Sequence, residues 1–459
     1  MPEILLHYER VNPTSWAYLS SLLTLALYFK FSRFWSVRNV DLFLLILLAP
    51  GLLLVQWSWE NAIAENAAKI EFVGFLWLFA AGGLLLARLL LDSAMVRRPL
   101  LEPNLNAAGL TFLGGSLLFF LMANVVTGKP SPGDLSPARQ AEVMRSEGQD
   151  SVKGDQHDSF ATDGPGFWLL YSLPRIGTQK LIGAREHDPK DTSAEQPRQE
   201  LLIREATARV MAILSHVLIV VGMIVVGHWH FENVTAGIGA ATLYLLVPCT
   251  ALWTGSVVHA LPASLLVWAV AFYRQPLLAG MMVGLALGTI YYPAFLLPLW
   301  CSFYWQRGLK RFVTGMLITI AVLVVTMAIT ATSTEDFVAD LFQMFGLRVP
   351  ATTNLEGIWK TWSPVYRFPI IAAFVALAIS FSIWPAQKTL GTLISCSAAV
   401  MLAAQFWHAY AGGVFIAWYL PLLLLTIFRP NLEDRLALTK IVEGWWKSRN
   451  RAKKSADPG

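Results

Sequence analysis

Carboxylate side chains gather in one long polar segment, residues 128–206, which interrupts an otherwise apolar sequence. Asp134 is the first acidic residue of this segment, just where the chain leaves a long apolar run. Asp158 and Asp163 follow, shortly before the apolar stretch 166–177. A carboxylate beside a membrane groove can act as a general base on a hydroxyl group, because its surroundings readily tune its pKa. The alternative for each of the three is an ordinary solvated carboxylate in a loop. Asp134 is the first candidate for the general base because it lies directly after the apolar run.

A second polar segment, residues 333–367, carries two closely spaced tryptophans, Trp359 and Trp362. An indole face outside the bilayer offers a flat apolar surface on which a sugar ring or a lipid headgroup can stack. The alternative is that both rings belong to the aromatic belt at the membrane interface, where most of the 18 tryptophans are expected. The pair is therefore a candidate platform for a sugar or a headgroup.

The sequence offers no recognisable cofactor or metal motif. Glycine-rich phosphate loops, HExxH, GxSxG and zinc-type Cys/His spacings are absent, and the three cysteines lie far apart in apolar runs. His228 and His230 lie two residues apart, but such a pair specifies a metal only loosely, so a structural or interfacial role is expected. No cofactor is predicted; a divalent metal stays an open alternative, although no motif indicates one.

The elements that hold these residues are membrane-spanning helices. The chain has 459 residues, of which 55% are hydrophobic and only 14% charged, whereas soluble domains carry about 25% charged residues. This composition excludes a soluble enzyme, a nucleic-acid-binding domain and a disordered scaffold. Its apolar runs reach the length of about 20 residues that crosses a bilayer. The sequence therefore predicts an all-α polytopic transmembrane bundle.

Counting these runs predicts about thirteen spans. One run, residues 277–304, is too long for a single span and contains Pro293 and Pro298, so it is predicted to form two short helices, 277–290 and 292–305, since proline breaks a helix interior. The runs lie near residues 15–31, 39–57, 70–91, 106–127, 208–228, 236–254, 257–273, 277–304, 309–332, 368–385, 389–410 and 413–428.

The short loops predict an orientation. With thirteen spans, the loops rich in Lys and Arg all fall on the side of the basic tail, residues 429–459, and the positive-inside rule makes that side cytoplasmic. The N terminus and the segments 128–206 and 333–367 then lie outside. The first residues lack a basic stretch and a cleavage site, so the first apolar run is expected to remain as a helix rather than to be removed as a signal peptide.

Smaller features complete the layout. The stretch 166–177 is too short to span and is predicted to be an interfacial or re-entrant segment. The sequence TEDFVADLFQMFG, residues 334–346, has an amphipathic helical pattern. Asp41 lies near a span end, where its side chain can reach the interface. His216 and His259 lie deepest in the apolar runs, where each can line a cavity or join two helices by a hydrogen bond.

Several weak motifs, all but one of them between residues 205 and 311, resemble those of one enzyme family. They are Ala208-Arg209 at a helix entry, a turn with Pro248 and Gly255, the LAGMMVGLA start of a hairpin, YPAFLLPL before a basic turn, and FIAWYLPLLLL at 415–425. The pattern resembles the polytopic glycosyltransferases of the GT-C fold, and it is most similar to the bacterial polyprenyl-phosphate-mannose-dependent enzymes of glycosyltransferase family 87. The resemblance covers residues 106–428, whereas the three helices within residues 1–105 have no counterpart in the family.

The resemblance implies an inverting transfer of a sugar from a polyprenyl-phosphate donor to an acceptor at the outer face of a bacterial-type inner membrane. It places Asp134 at the position of the family's catalytic acid, and three arginines lie on the side where the donor phosphate is expected. Arginine suits that role because it binds phosphate bidentately. The expected partners are the polyprenyl-phosphate donor and membrane lipids. Nucleic acid is not an expected partner. These three arginines are Arg209, Arg348 and Arg367.

The sequence also departs from the family pattern. No DxD or ExD pair stands at residue 134, Tyr291 occupies a position that is often lysine, and Val258-His259 stands where an acid is common. Two alternatives to the enzyme therefore stay open: a non-catalytic scaffold or lipid-handling membrane protein, and a carrier for lipid-linked substrates. A carrier typically shows paired interrupted helices in two repeats, and this chain has one interrupted hairpin.

Overall fold

The structure is a computed structural model, and it describes residues 12–95, 101–128, 166–167, 170, 196–330, 333–347, 350 and 352–430. Within these residues the regular elements are helices. The α-helices are α1 (Pro13–Tyr28), α2 (Val37–Ile46), α3 (Leu48–Glu60), α4 (Ala67–Leu91), α5 (Ala107–Thr127), α6 (Gln196–Trp229), α7 (Val234–Leu246), α8 (Pro248–Leu252), α9 (Val257–Ala271), α10 (Pro276–Thr289), α11 (Leu297–Tyr304), α12 (Leu309–Thr330), α13 (Thr334–Met344), α14 (Arg367–Ile383), α15 (Leu390–Ala404) and α16 (Leu420–Phe428). Short 3₁₀ turns occupy Phe31–Arg33, Asp92–Ala94, Tyr292–Leu296, Gly357–Lys360, Pro364–Tyr366 and Ile416–Trp418.

The described residues include six helices that are long and apolar enough to cross a membrane, with four shorter apolar helices. This confirms a helical membrane protein. The predicted number of thirteen spans is not confirmed. The difference arises because hydropathy measures apolar content and not helix continuity. The run 413–428, for example, contains a 3₁₀ turn followed by only nine residues of α16, which is about 14 Å of helix against a hydrocarbon layer of about 30 Å.

Helix starts and breaks follow local sequence signals. Asn12, Asn106 and Asn233 each accept a backbone N–H bond as the N-cap of a helix, which satisfies a donor that the helix leaves unpaired. Proline separates the two helices predicted within 277–304, where α10 is followed by a 3₁₀ turn and α11. The amphipathic helix predicted from residue 334 is also present, as α13.

The buried core of the bundle and its outer helices differ in side-chain exposure. Helices α7, α9, α15 and α16 are buried along almost their whole length. In α5 and α14 only a fifth of the most apolar window is buried, as expected for helices that turn a broad apolar face toward lipid. The N-terminal helices join this core directly, since the Tyr28 hydroxyl donates to the Gly239 carbonyl oxygen at 2.9 Å.

A buried cluster of four charged side chains ties the N-terminal helices to the last helix. Arg88 binds the Asp41 carboxylate through Nε at 2.6 Å and Nη2 at 2.9 Å, and its Nη1 lies 2.9 Å from Asp92. The other Asp92 oxygen accepts from Arg429, just after α16, at 2.6 Å. Asp41 is only 3% exposed, so it is an ion-pair partner inside the protein rather than a group that reaches the interface. We call this end of the bundle the ion-cluster end.

Helices α10 and α12 approach each other closely through glycine. A methyl group on Gly280 would overlap the carbonyl oxygen of Phe312 in α12. Gly315 of α12 stands in the same relation to Leu277 of α10. Small residues allow this backbone contact, which is a common way to join helices within a membrane.

The Gly280→Ala substitution is therefore expected to force α10 and α12 apart. Overpacking of this kind costs about 1–3 kcal/mol, and it should lower the midpoint of thermal unfolding of the purified protein in detergent. Gly83→Ala is the matched control, because a methyl group there meets nothing within 4 Å. An unchanged midpoint in Gly280→Ala would show that the two helices are not held at this distance.

Candidate functional site

A cavity of about 220 Å³ opens where the first turn of α1, the ends of α3 and α5, the N-terminal half of α6 and the end of α8 with the segment after it meet. We call it the Arg209 cavity, and this end of the bundle the cavity end. It lies opposite the ion-cluster end, because α2 and α3 form one span that runs from Asp41 to Glu60. Its apolar lining includes Trp16, Phe120, Leu121 and Val125, and its polar lining includes Gln56, Glu60, Asn124, Arg209 and Thr254.

Arg209 is partly buried in this cavity, and one of its guanidinium nitrogens makes local contacts. Its Nη2 atom donates to the carbonyl oxygen of Gly128 at 3.1 Å and lies 3.3 Å from Glu205 in the preceding helical turn. The side chain is 28% exposed, and its Nε atom is buried without a hydrogen-bond partner among the described residues. A guanidinium with an unused donor beside an apolar wall is suited to bind an anion that carries an apolar chain.

Glu60 brings a carboxylate to the same cavity. It is the last residue of α3, and it accepts a hydrogen bond of 2.7 Å from the Gln56 side chain one turn earlier. Glu60 was not among the residues predicted for the site. A carboxylate at the very end of a span was the available signal, but nothing local connects it to Arg209, which lies about 150 residues later in the chain.

Arg367 lies elsewhere at the cavity end and is more firmly held. It is 3% exposed, and its Nε and Nη2 atoms donate to the carbonyl oxygen of Trp407 at 3.2 and 2.9 Å. Its guanidinium carbon lies 6.0 Å from the centre of the Trp359 ring. Arg367 therefore joins the start of α14 to the segment after α15, and this use of its donors leaves it less available to a ligand than Arg209.

Several buried donors surround Arg367. The hydroxyl of Tyr291 donates to Tyr292 at 2.7 Å, and the Tyr292 hydroxyl contacts His408 Nδ1. The indole N–H groups of Trp359 and Trp407, with His408 Nε2, have no hydrogen-bond partner among the described residues. Buried polar atoms in native proteins nearly always have partners, including water and ligands, so this cluster marks a place where a further polar group is expected.

The two tryptophans of the predicted platform differ in exposure. Trp359 is 2% exposed, whereas Trp362 is 38% exposed and lies 6.2 Å from it between ring centres. Nearby, Lys360 lies 3.6 Å from Glu71, and both line a second cavity of about 410 Å³ together with Trp59. The face of Trp362 is therefore the more accessible of the two, and the platform stays a prediction that depends mainly on this residue.

A row of aromatic rings in contact connects the Arg209 cavity with the cluster around Arg367. Trp253 stacks on His259 at 4.8 Å, His259 stacks on Phe415 at 4.7 Å, and Phe415 lies 5.0 Å from His408. His216 contacts the Tyr244 hydroxyl at 2.8 Å and the Thr254 carbonyl oxygen at 3.1 Å. Both histidines of the apolar runs thus have packing roles, and they fix the segment that forms one wall of the Arg209 cavity.

Four of the predicted site residues, Asp134, Asp158, Asp163 and Arg348, lie outside the described residues. The stretch 166–177 is described only at residues 166, 167 and 170. At its start, Gly166 lies against the last turn of α10, where an added methyl group would come within 2.7 Å of the Gly288 backbone. Phe167 is 1% exposed. The long segment therefore contacts the bundle at the end of α10, although its path is not described.

The described part of the chain contains no group of three or more His, Cys, Asp or Glu side chains placed to hold a metal ion. His230 is buried and its Nε2 atom contacts the Ala271 carbonyl oxygen at 2.6 Å, while His228 is exposed. Comparisons of the chain with protein-family models, with characterised proteins and with solved structures find no match.

Proposed function

We propose that this chain is an integral membrane glycosyltransferase of GT-C-like architecture. It transfers a sugar from a polyprenyl-phosphate donor to an acceptor at the outer face of a bacterial-type inner membrane, with the cavity end outside and the ion-cluster end in the cytoplasm. The observation that carries the proposal is the Arg209 cavity, which combines a cation that has an unused donor with an apolar wall at the end of a helical bundle.

The chemistry of such a donor matches this arrangement. A polyprenyl phosphate has a long apolar chain and an anionic head, so its site needs an apolar surface that continues into lipid and a cation at the bilayer boundary. Trp16 and Phe120 stack at 5.8 Å in the apolar lining, and Phe120 belongs to α5, of which only about a fifth of the most apolar window is buried. Arg209 then lies where the phosphate would leave, and it stabilises the negative charge that develops there.

The general base of this reaction is assigned to Asp134. Gly128, whose carbonyl oxygen accepts from Arg209, lies on the rim of the cavity. Six residues of extended chain cover about 20 Å, so Asp134 lies within reach of the cavity along the chain. In an inverting mechanism this carboxylate takes the proton from the acceptor hydroxyl while the oxygen attacks the sugar and the phosphate departs.

The Arg209→Gln substitution tests the donor site directly. Loss of a charge-assisted hydrogen bond in a partly buried cavity should weaken binding of undecaprenyl phosphate by about 10- to 100-fold. Binding is measured by native mass spectrometry of the purified protein. The control is Lys69→Gln, which removes an exposed cation at the start of α4, at the same end of the bundle.

A second measurement follows transfer of labelled sugar from polyprenyl-phosphate donors by the unmodified protein. Equal affinity for undecaprenyl phosphate in Arg209→Gln and in the unmodified protein would remove Arg209 from the donor site. If the unmodified protein also transfers sugar from none of these donors, the glycosyltransferase proposal is wrong, and a scaffold or lipid-handling role replaces it.

A further inference from the structure

The loop between α1 and α2, at the ion-cluster end, combines aromatic and basic residues at high density. Its sequence, FKFSRFWS, spans residues 29–36, and we call it the aromatic–basic loop. It leads directly into the candidate membrane span Val37–Glu60. Because it lies at the end of a span, the loop is placed at the level of the lipid headgroups.

The outer rings of this loop are unusually exposed. Trp35 is 86% exposed, Phe31 is 79% exposed and Phe34 is 50% exposed, whereas Phe29 is buried. The rings of Phe31 and Phe34 rest against Phe29, with centres 4.9 and 5.5 Å away. The buried ring thus supports a ridge of aromatic side chains. In water such a ridge is unfavourable, but at a membrane interface the rings lie among headgroups and the first carbons of the lipid chains.

A single buried side chain fixes the backbone of the loop. The Asn39 amide nitrogen donates to the carbonyl oxygens of Lys30, Arg33 and Phe34 at 3.0–3.1 Å. Its amide oxygen accepts from the Lys30 backbone N–H at 3.1 Å. Asn39 is 0% exposed. The loop is therefore held in one conformation, so binding a ligand there costs little ordering entropy.

The basic residues of the loop alternate with its exposed aromatic residues along the sequence. Lys30 and Arg33 flank Phe31, and the 3₁₀ turn Phe31–Arg33 fixes their spacing. Cations at a membrane surface attract anionic lipids, and an aromatic ridge beside them adds contacts to the acyl chains that a soluble anion does not make. Charge and apolar surface together therefore select a lipid with an anionic headgroup.

We propose that the aromatic–basic loop is a preorganised binding site for an anionic phospholipid of the membrane leaflet on the ion-cluster side. Lys30 and Arg33 bind the headgroup, and Phe31, Phe34 and Trp35 contact the acyl chains. The site is independent of the proposed glycosyl transfer, because it lies at the opposite end of the bundle from the Arg209 cavity.

Lipid titration of the full-length protein in detergent tests this site. Native mass spectrometry counts bound dioleoylphosphatidylglycerol and, in parallel, bound dioleoylphosphatidylcholine. Each surface cation contributes about fivefold to the affinity for an anionic lipid, so the double variant Lys30→Gln/Arg33→Gln should bind phosphatidylglycerol about 30-fold more weakly. Trp35→Ser keeps the charges and should weaken the binding of both lipids. Because Trp35 is exposed, this variant is expected to fold as the unmodified protein does.

The matched control is Lys310→Gln/Arg311→Gln, which removes two cations from the start of α12. A preorganised site predicts that this variant keeps its phosphatidylglycerol affinity. An equal loss in the two double variants would show diffuse attraction instead of a site and would overturn the proposal. Equal binding of the two lipids by the unmodified protein would overturn it as well.

Discussion

Asp92→Asn is expected to lower the free energy of unfolding by about 3–5 kcal/mol, the usual cost of removing one partner from a buried ion pair. The Asp92 side chain is fully buried and lies between Arg88 and Arg429. Asparagine keeps the size of the side chain and removes its charge. Arg88 retains Asp41, but Arg429 loses the partner that holds the end of α16. The midpoint of thermal unfolding in detergent, followed by circular dichroism, measures the effect.

A paired substitution separates electrostatic from packing effects in this cluster. Removing both members of a buried ion pair avoids leaving one charge without a partner. The variant Asp92→Leu/Arg429→Leu should therefore be more stable than Asp92→Leu alone. Glu65→Gln, in the exposed turn between α3 and α4, serves as a neutral control. If the paired variant shows the sum of the two single losses, Asp92 and Arg429 do not act as a pair.

Local features of this fold were predictable from the sequence. Proline residues split the run 277–304 as predicted, because the missing N–H and the ring act within a single turn. The helix α13 followed from a pattern of apolar residues at helical spacing, which depends only on residues close in the chain. The helical membrane class followed from composition alone.

Long-range partnerships were not predictable in the same way. Asp41 and Arg88 are 47 residues apart, and the sequence placed Asp41 near a span end without indicating its partner. The Arg209 cavity is formed by five helices from the first and middle parts of the chain. The residues adjacent to Gln56 and Glu60 in the sequence therefore do not indicate that these two side chains share a cavity with Arg209. Hydropathy also did not predict that α16 is only nine residues long, because it does not detect where a helix is interrupted.

The three arginines predicted to bind the donor phosphate illustrate which features of the site depend on helix packing. All three were chosen because they lie on the side where the donor phosphate is expected. The structure distinguishes Arg209, which lines a cavity, from Arg367, which is bound to the Trp407 carbonyl oxygen. That distinction depends on which backbone carbonyl lies beside each guanidinium, and this is fixed only when the helices pack.

Asp134→Asn is expected to lower the rate of sugar transfer by about 10²–10⁴-fold while leaving binding of undecaprenyl phosphate unchanged. A general base contributes a factor of this size because it removes the proton of the acceptor as the new bond forms. Asparagine has nearly the same shape but cannot accept that proton. Transfer of labelled sugar from a polyprenyl-phosphate donor measures the rate, and native mass spectrometry measures donor binding.

Three other carboxylates test whether the assignment of the base is unique. Asp158→Asn and Asp163→Asn should retain activity, because the proposed mechanism needs one general base and assigns it to Asp134. Glu60→Gln is the most informative comparison, since Glu60 lies in the Arg209 cavity itself. An active Asp134→Asn together with an inactive Glu60→Gln that still binds the donor would move the base to the end of α3. The N-terminal helices would then supply the catalytic residue of the proposed glycosyltransferase.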